Sequence, residues 1–147
     1  QQPAGIAVAQ QLVALGRIGK KCGKGFYDYA EGGKKALWSG LAEQFPVAAQ
    51  QPALDGLVQR LMTIQSLESA RCLAEGVVSS ARDADVGSVL GWGVPPFSGG
   101  TISRIHSTGV AEFVAQCDAL AALHGARFTP PQSLRDMAAR GERFYAR

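Results

Sequence analysis

RCLAEGVVSSARDADVGSVLGWGVPPFSGG (Arg71–Gly100) joins a helical segment to a Gly/Pro-rich turn that carries almost no catalytic side chains. Within it, Gly91-Trp92-Gly93-Val94-Pro95-Pro96-Phe97 is expected to leave the helix. Glycine is entropically costly there, and each proline removes a donor and restricts the residue before it. The run therefore reads as a shaped loop. Trp92 and Phe97 stand in it beside Asp83-x-Asp85 and the Gly99-Gly100 step. This composition suits packing against another surface better than proton transfer, so Trp92, Pro95, Pro96 and Phe97 are the candidate packing turn.

Upstream of the turn, apolar residues at 54, 57, 58, 61, 64, 67, 70, 73, 77 and 81 form an i, i+3, i+4 series. The spacing predicts one long amphipathic helix from Leu54 to Ala81 as the central core helix. Arg71 lies between Glu68 and Glu75, positions that allow surface ion pairs of about 0.2–0.5 kcal/mol each. Asp83 or Asp85 is expected to cap a short helix over Val86–Leu90 that Gly91 ends. Downstream, a helix is expected over Thr101–His106. Another is expected over Val110–Leu123, with Val110, Phe113, Val114, Cys117, Leu120, Ala121 and His124 as its apolar stripe. A last helix starts at Pro130-Pro131, carries Leu134, Met137 and Ala138 inward, and ends at Gly141.

Towards the N-terminus, Ile6–Leu15 reads as a helix stopped by Gly16. A Gly/Lys-rich stretch then leads into Phe26-Tyr27-Asp28-Tyr29, an extended or hairpin-like element. Pro46 and Pro52 bracket a Gln/Ala-rich connector. The expected organisation is thus the tail of a preceding helical domain over 1–45, a linker over 46–53 and a helical domain over 54–147. Gly23-x-x-Phe26-Tyr27 recurs as Gly141-x-x-Phe144-Tyr145, which fits the end of one unit followed by a whole second unit.

With 147 residues, 46% of them apolar, the chain is long enough to bury a core. It contains no apolar run near the ~18 residues of a membrane span and no signal segment, which reads as a cytoplasmic-type protein. It opens on Gln1 rather than Met, as expected of a piece of a longer polypeptide. Cys22, Cys72 and Cys117 are odd in number and widely spaced, which favours reduced thiols. The net charge of +3 is uneven, because Arg17, Lys20, Lys21, Lys24, Lys34 and Lys35 face only Asp28 and Glu31 in their segment. A solvated loop is the simpler reading of that cluster; attraction of an anion such as a CoA phosphate, through Lys20, Lys21 and Lys24, is the sharper one. No nucleic-acid-binding motif surrounds it.

Gly23-Lys24-Gly25 and Gly91-Trp92-Gly93 begin like a dinucleotide fingerprint, but the third glycine position holds Asp28 in one and Pro96 in the other. The Cys and His spacings offer no metal site. Cys117 and His124 share a helix face two turns apart, about 10 Å, too far for a nucleophile and its base. An independent small Cys/His enzyme is thus the least favoured reading.

The run Glu68-Ser-Ala-Arg-Cys-Leu-Ala-Glu75-Gly76, then Asp85, Gly91-Trp-Gly-Val-Pro-Pro and Gly99-Gly100, resembles the C-terminal helical domain of 3-hydroxyacyl-CoA dehydrogenases. It is most similar to the last domain of multifunctional fatty-acid β-oxidation enzymes. Gly16-Arg17-Ile18-Gly19-Lys20-Lys21-Cys22-Gly23-Lys24-Gly25-Phe26-Tyr27 resembles the segment that closes the preceding helical domain of those proteins. Leu67 stands where the family has Asn, and His106 where it has Asp. The resemblance implies an all-α helical bundle of that type with a small extended element near the N-terminus. It also implies a structural, dimerisation-type role, with the upstream catalytic domains, a second copy and the acyl-CoA substrate of the parent as partners. The parent uses NAD, yet the resemblance carries no cofactor-binding and no catalytic residue onto this chain, because the Rossmann domain and the His–Glu dyad belong upstream. The Gly91–Gly100 turn and the helix bearing Phe113 are the elements expected nearest an exposed apolar face.

Overall fold

The structure, a computed structural model, describes residues 4–146. It divides into two compact units, Gln1–Gln51 and Pro52–Arg147.

In the first unit, α1 (Ala4–Ala14) leads into a tight loop and a two-stranded antiparallel hairpin, β1 (Tyr27–Asp28) paired with β2 (Ala36–Leu37) in the register Tyr27 to Leu37. A single turn of helix, α2 (Leu41–Gln44), follows. Arg17 organises this small unit. Its buried guanidinium donates to the Gly25 carbonyl at 2.8 Å, pairs with Asp28 at 2.5 Å, and lies 4.0 Å from the centre of the Trp38 ring. Gly25 permits the loop to close, because a Cβ there would come within 3.1 Å of the Gly19 backbone.

The second unit is all-helical: α3 (Leu54–Ala74), α4 (Ala81–Trp92), α5 (Thr101–Thr108), α6 (Val110–His124) and α7 (Gln132–Arg140). The short α5 sits at the centre, packed on α3, α4 and α6, while α7 packs on α6. Leu67 and Ala70 of α3, Ile102 and Ile105 of α5, Phe113, Val114 and Cys117 of α6, and Leu134 of α7 form one buried cluster. Phe113 has no exposed surface, and truncating such a side chain to alanine costs about 3–5 kcal/mol. The all-α class with a small extended element therefore holds.

Several expected boundaries move. The helix from Leu54 ends at Ala74, where Gly76 turns the chain at φ +72°; it does not run to Ala81. The apolar periodicity runs on past this break because Val78 and Ala81, at the entrance to α4, pack on the same core. The next helix is α4, longer than the expected Val86–Leu90 and capped by Ser80 rather than by an aspartate. The Ser80 hydroxyl accepts from the Asp83 N–H at 3.1 Å and donates to its carboxylate at 2.7 Å, a reciprocal cap. Nor does Gly91 end α4. Gly93 does, at φ +78°, because the following residue, Val94, is the one that must turn inward: it is buried, and its N–H returns to the Ser88 carbonyl at 3.0 Å. The N-terminal end of the expected stripe is not core either. Leu54, Val58 and Leu61 are 73%, 50% and 60% exposed, although the 3-10 turn Ala126–Phe128 packs on α3.

Candidate functional site

The chemically richest point of the second unit is Asp85. It projects from the middle of α4 and is only 6% exposed. One carboxylate oxygen accepts from the Ile102 N–H at 2.6 Å and the Ser103 N–H at 3.0 Å; the other accepts from the Ser103 hydroxyl and the Tyr145 hydroxyl, both at 2.6 Å. Asp85 thus caps α5 from a neighbouring helix, and its charge sits where the helix dipole is positive. Beside it, the Ser88 hydroxyl donates to the Asp85 carbonyl at 2.8 Å and accepts from the Thr101 N–H at 3.3 Å.

Backbone approach explains the double glycine. Gly100 has φ +115°, and a Cβ there would lie 2.5–2.6 Å from atoms of Asp85, so the α4–α5 contact tolerates no side chain at that position. Tyr145 completes the cluster from the far end of the chain. Its ring stands edge-on to His106 at 5.4 Å, and burial, reinforced by the Asp85 carboxylate, pushes its phenol up to about 12. His106 therefore packs on the closing tyrosine. Leu67 is fully buried in the core.

A second polar seam lies between α3 and α5. Arg104 reaches towards Thr63 at 3.5 Å with its guanidinium 5.9 Å from the Phe113 ring, and burial lowers its pKa. Cys117 lies in the core with its thiol pushed up to about 11 by burial, the Asp118 charge adding to the effect. Asp118 itself is held low by Arg135. Among the described residues no group of three His, Cys, Asp or Glu side chains is placed to hold a metal ion. Among the described residues no helix is long and apolar enough to cross a membrane.

The residues singled out from the sequence fall in three places. Trp92 and Phe97 of the turn are 56% and 93% exposed, Pro95 is half-buried and Pro96 exposed. Phe113 is not with them: the stripe of α6 that carries it is the core itself, so the exposed apolar side chains near the turn come from α4, at Val86 and Leu90. Lys20, Lys21 and Lys24 are all exposed on a small loop closed by the Gly19 N–H to the Lys24 carbonyl at 2.7 Å. Arg17, counted with that basic cluster in the sequence, is spent on the fold of its unit. Arg71 does pair with Glu68, at 2.7 Å, but it turns its remaining donors to the carbonyls of Arg127 and Thr129 rather than to Glu75.

The sequence reading does not bring the Asp85 cluster together, although Asp85, Gly100 and Tyr145 lie in the stretches that carry the resemblance and the repeat. Comparison with known proteins gives that framework a context. The chain is 39% identical over 146 residues to the fatty acid oxidation complex subunit alpha of Shewanella frigidimarina. It resembles one stretch of that subunit. The match covers 95% of this chain and 20% of the relative. The fatty acid oxidation complex subunit alpha of Pseudomonas paraeruginosa and that of Pseudomonas aeruginosa are each 40% identical over 148 residues, covering 96% of this chain and 21% of the relative. The chain therefore spans about a fifth of the length of the alpha subunits it matches. No family model matches it.

Proposed function

We propose that the chain is the C-terminal helical part of a multifunctional fatty-acid β-oxidation subunit. Residues 54–147 would serve there as the structural, dimerisation-type domain of an NAD-dependent 3-hydroxyacyl-CoA dehydrogenase. The similarity over nearly the whole chain to fatty acid oxidation complex alpha subunits carries this reading. The geometry supports it: the carboxylate best placed for chemistry, Asp85, already accepts from two backbone amides and two hydroxyls that hold three segments together. A general base needs a free lone pair within reach of a substrate proton. The dehydrogenase reaction, oxidation of a 3-hydroxyacyl-CoA to the 3-ketoacyl-CoA, would then belong to the parent polypeptide and its upstream domains.

The test has two arms. The purified chain is expected to give no NADH oxidation with acetoacetyl-CoA, and a turnover comparable to that of an intact dehydrogenase would overturn the structural assignment. Sedimentation over a wide concentration range is expected to show self-association that Trp92→Ser/Phe97→Ser weakens; a strict monomer would overturn the dimerisation role. A second reading, CoA-phosphate binding, draws on the exposed ammonium groups of Lys20, Lys21 and Lys24. Calorimetry with CoA tests it, and no heat above dilution would dismiss it.

A further inference from the structure

All of the net positive charge of the sequence lies in its first unit. Residues 1–51 carry six Lys and Arg side chains against Asp28, Glu31 and Glu43, and the remaining residues hold equal numbers of the two signs. Arg17 is taken up by Asp28, and among the described residues none of the five lysines has a carboxylate within ion-pair distance. The same unit holds a groove of about 590 Å³, within the size range of small-ligand sites. Phe26 and Leu37 at the hairpin, Trp38, and Leu41 and Phe45 at α2 form its walls. No charged side chain lines it, and Ser39 brings its only side-chain hydroxyl. Trp38 is fixed in place by its neighbours. The Arg17 guanidinium lies 4.0 Å from its ring centre, and Gly40 leaves the indole its room, because a Cβ there would stand 2.5 Å from the ring. An aromatic wall held in this way lowers the ordering cost of binding.

A cation stands beside the lip of this groove. Leu37 is 61% exposed and lies opposite Tyr27 across the hairpin. Lys35, two residues before Leu37, shares its face about 7 Å along the extended chain. Its ammonium lies 4.8 Å from the centre of the Tyr27 ring, on the side that Leu37 occupies. An apolar trough that ends at an exposed ammonium fits a molecule with a long alkyl chain and an anionic head. A peptide fits it poorly, because backbone amides would lose water against walls with almost no polar partners. We propose that the groove binds a single-chain anionic amphiphile of the fatty-acid type, free in solution. The alkyl chain lies against Phe26, Trp38, Leu41 and Phe45, Lys35 holds the head at the Leu37 end, and the other lysines raise the local potential. The site is separate from CoA-phosphate binding at Lys20, Lys21 and Lys24, since it needs no phosphate and draws its affinity from the chain.

The experiment uses the whole chain carrying Trp92→Phe, which leaves Trp38 as its only tryptophan. Octanoate, decanoate and dodecanoate, each below its micelle concentration, are titrated in while Trp38 emission is followed, with calorimetry as a second measure. The emission is expected to shift to the blue, and the dissociation constant to tighten about three- to fourfold per added methylene, the worth of burying one such group. Leu37→Glu, a change at an exposed position, sets a like charge at the lip and is expected to weaken dodecanoate about tenfold or more with an unchanged melting temperature. Lys35→Glu is expected to weaken it about three- to tenfold at low salt and much less at high salt. Lys35→Glu serves alone if Leu37→Glu does not fold. Emission that follows the concentration of the chain and not of the amphiphile would assign the groove to a second copy. Emission that responds to phosphatidylglycerol vesicles and not to dodecanoate would assign it to a lipid surface. Either result, affinity independent of chain length, or indifference to the substitutions would overturn the proposal.

Discussion

Replacing Asp85 by alanine strips the acceptor from four donors at once: the Ile102 and Ser103 amides, the Ser103 hydroxyl and the Tyr145 phenol. The two amides belong to the first turn of α5, and Ile102 has no exposed surface, so its N–H has no route to water. A hydrogen bond to a charged acceptor contributes about 1.5–3 kcal/mol, and an orphaned buried donor costs about 1–3 kcal/mol. The hydroxyls can recover water, because Ser103 and Tyr145 are only half-buried. Counting the amides in full and the hydroxyls lightly, Asp85→Ala should cost about 3–5 kcal/mol. Asp85→Asn keeps the shape and an acceptor for the amides and should cost about half as much. Urea unfolding followed by far-UV circular dichroism reads both. In a unit of this size, the alanine variant should also lower the melting temperature by more than about 10 °C. A loss under about 1 kcal/mol for Asp85→Ala would refute the view that this carboxylate holds α4, α5 and the 142–146 segment together.

Gly100→Ala should cost about 2–3 kcal/mol, from the positive φ and the collision with Asp85, whereas Gly93→Ala, which meets open space, should cost about 1 kcal/mol; melting curves compare them. Tyr145 gives a pH signature. Its pKa is raised from an ordinary value of about 10 to about 12 in the fold, so its contribution is complete below pH 10 and is lost as pH rises towards 12. The urea midpoint should fall over that window in the native chain, and the fall should be shallower in Tyr145→Phe. Cys117 should resist iodoacetamide at pH 8 while the exposed Cys22 is alkylated, as intact-mass and peptide mass spectrometry would show.

What could be read from the sequence was what is local. The stripe of α6 and the stop glycines after α1 and α7 are written in neighbouring residues, and those helices lie where expected within one or two positions. The end of α3 was obscured because two successive helices feed one core, so apolar spacing continued through the break. A stripe shows that a face is covered but not by what, so the sequence alone puts the helix bearing Phe113 near an exposed face while the structure buries it in the core. The single turn α2 is too short to leave a period. The sequence offers Asp83 or Asp85 as a cap for the helix that follows because local pairing is the ordinary case; the partners of Asp85 lie 17, 18 and 60 residues away. Arg17 was counted as one charge in a basic cluster because the hairpin that buries it brings together residues eight to eleven positions apart.

The bond between Tyr145 and Asp85 also sets a schedule. When α4 and α5 emerge during synthesis, the carboxylate can already cap its neighbour, but its last donor arrives only with residue 145. Until then the newly made helices hold an anion that is desolvated on one side and open on the other, and the nascent unit must remain looser than the finished one. Closing so long a loop early would be entropically costly. Because Tyr145 lies beyond α7, the final tightening around Asp85 waits for a pairing between distant parts of the chain.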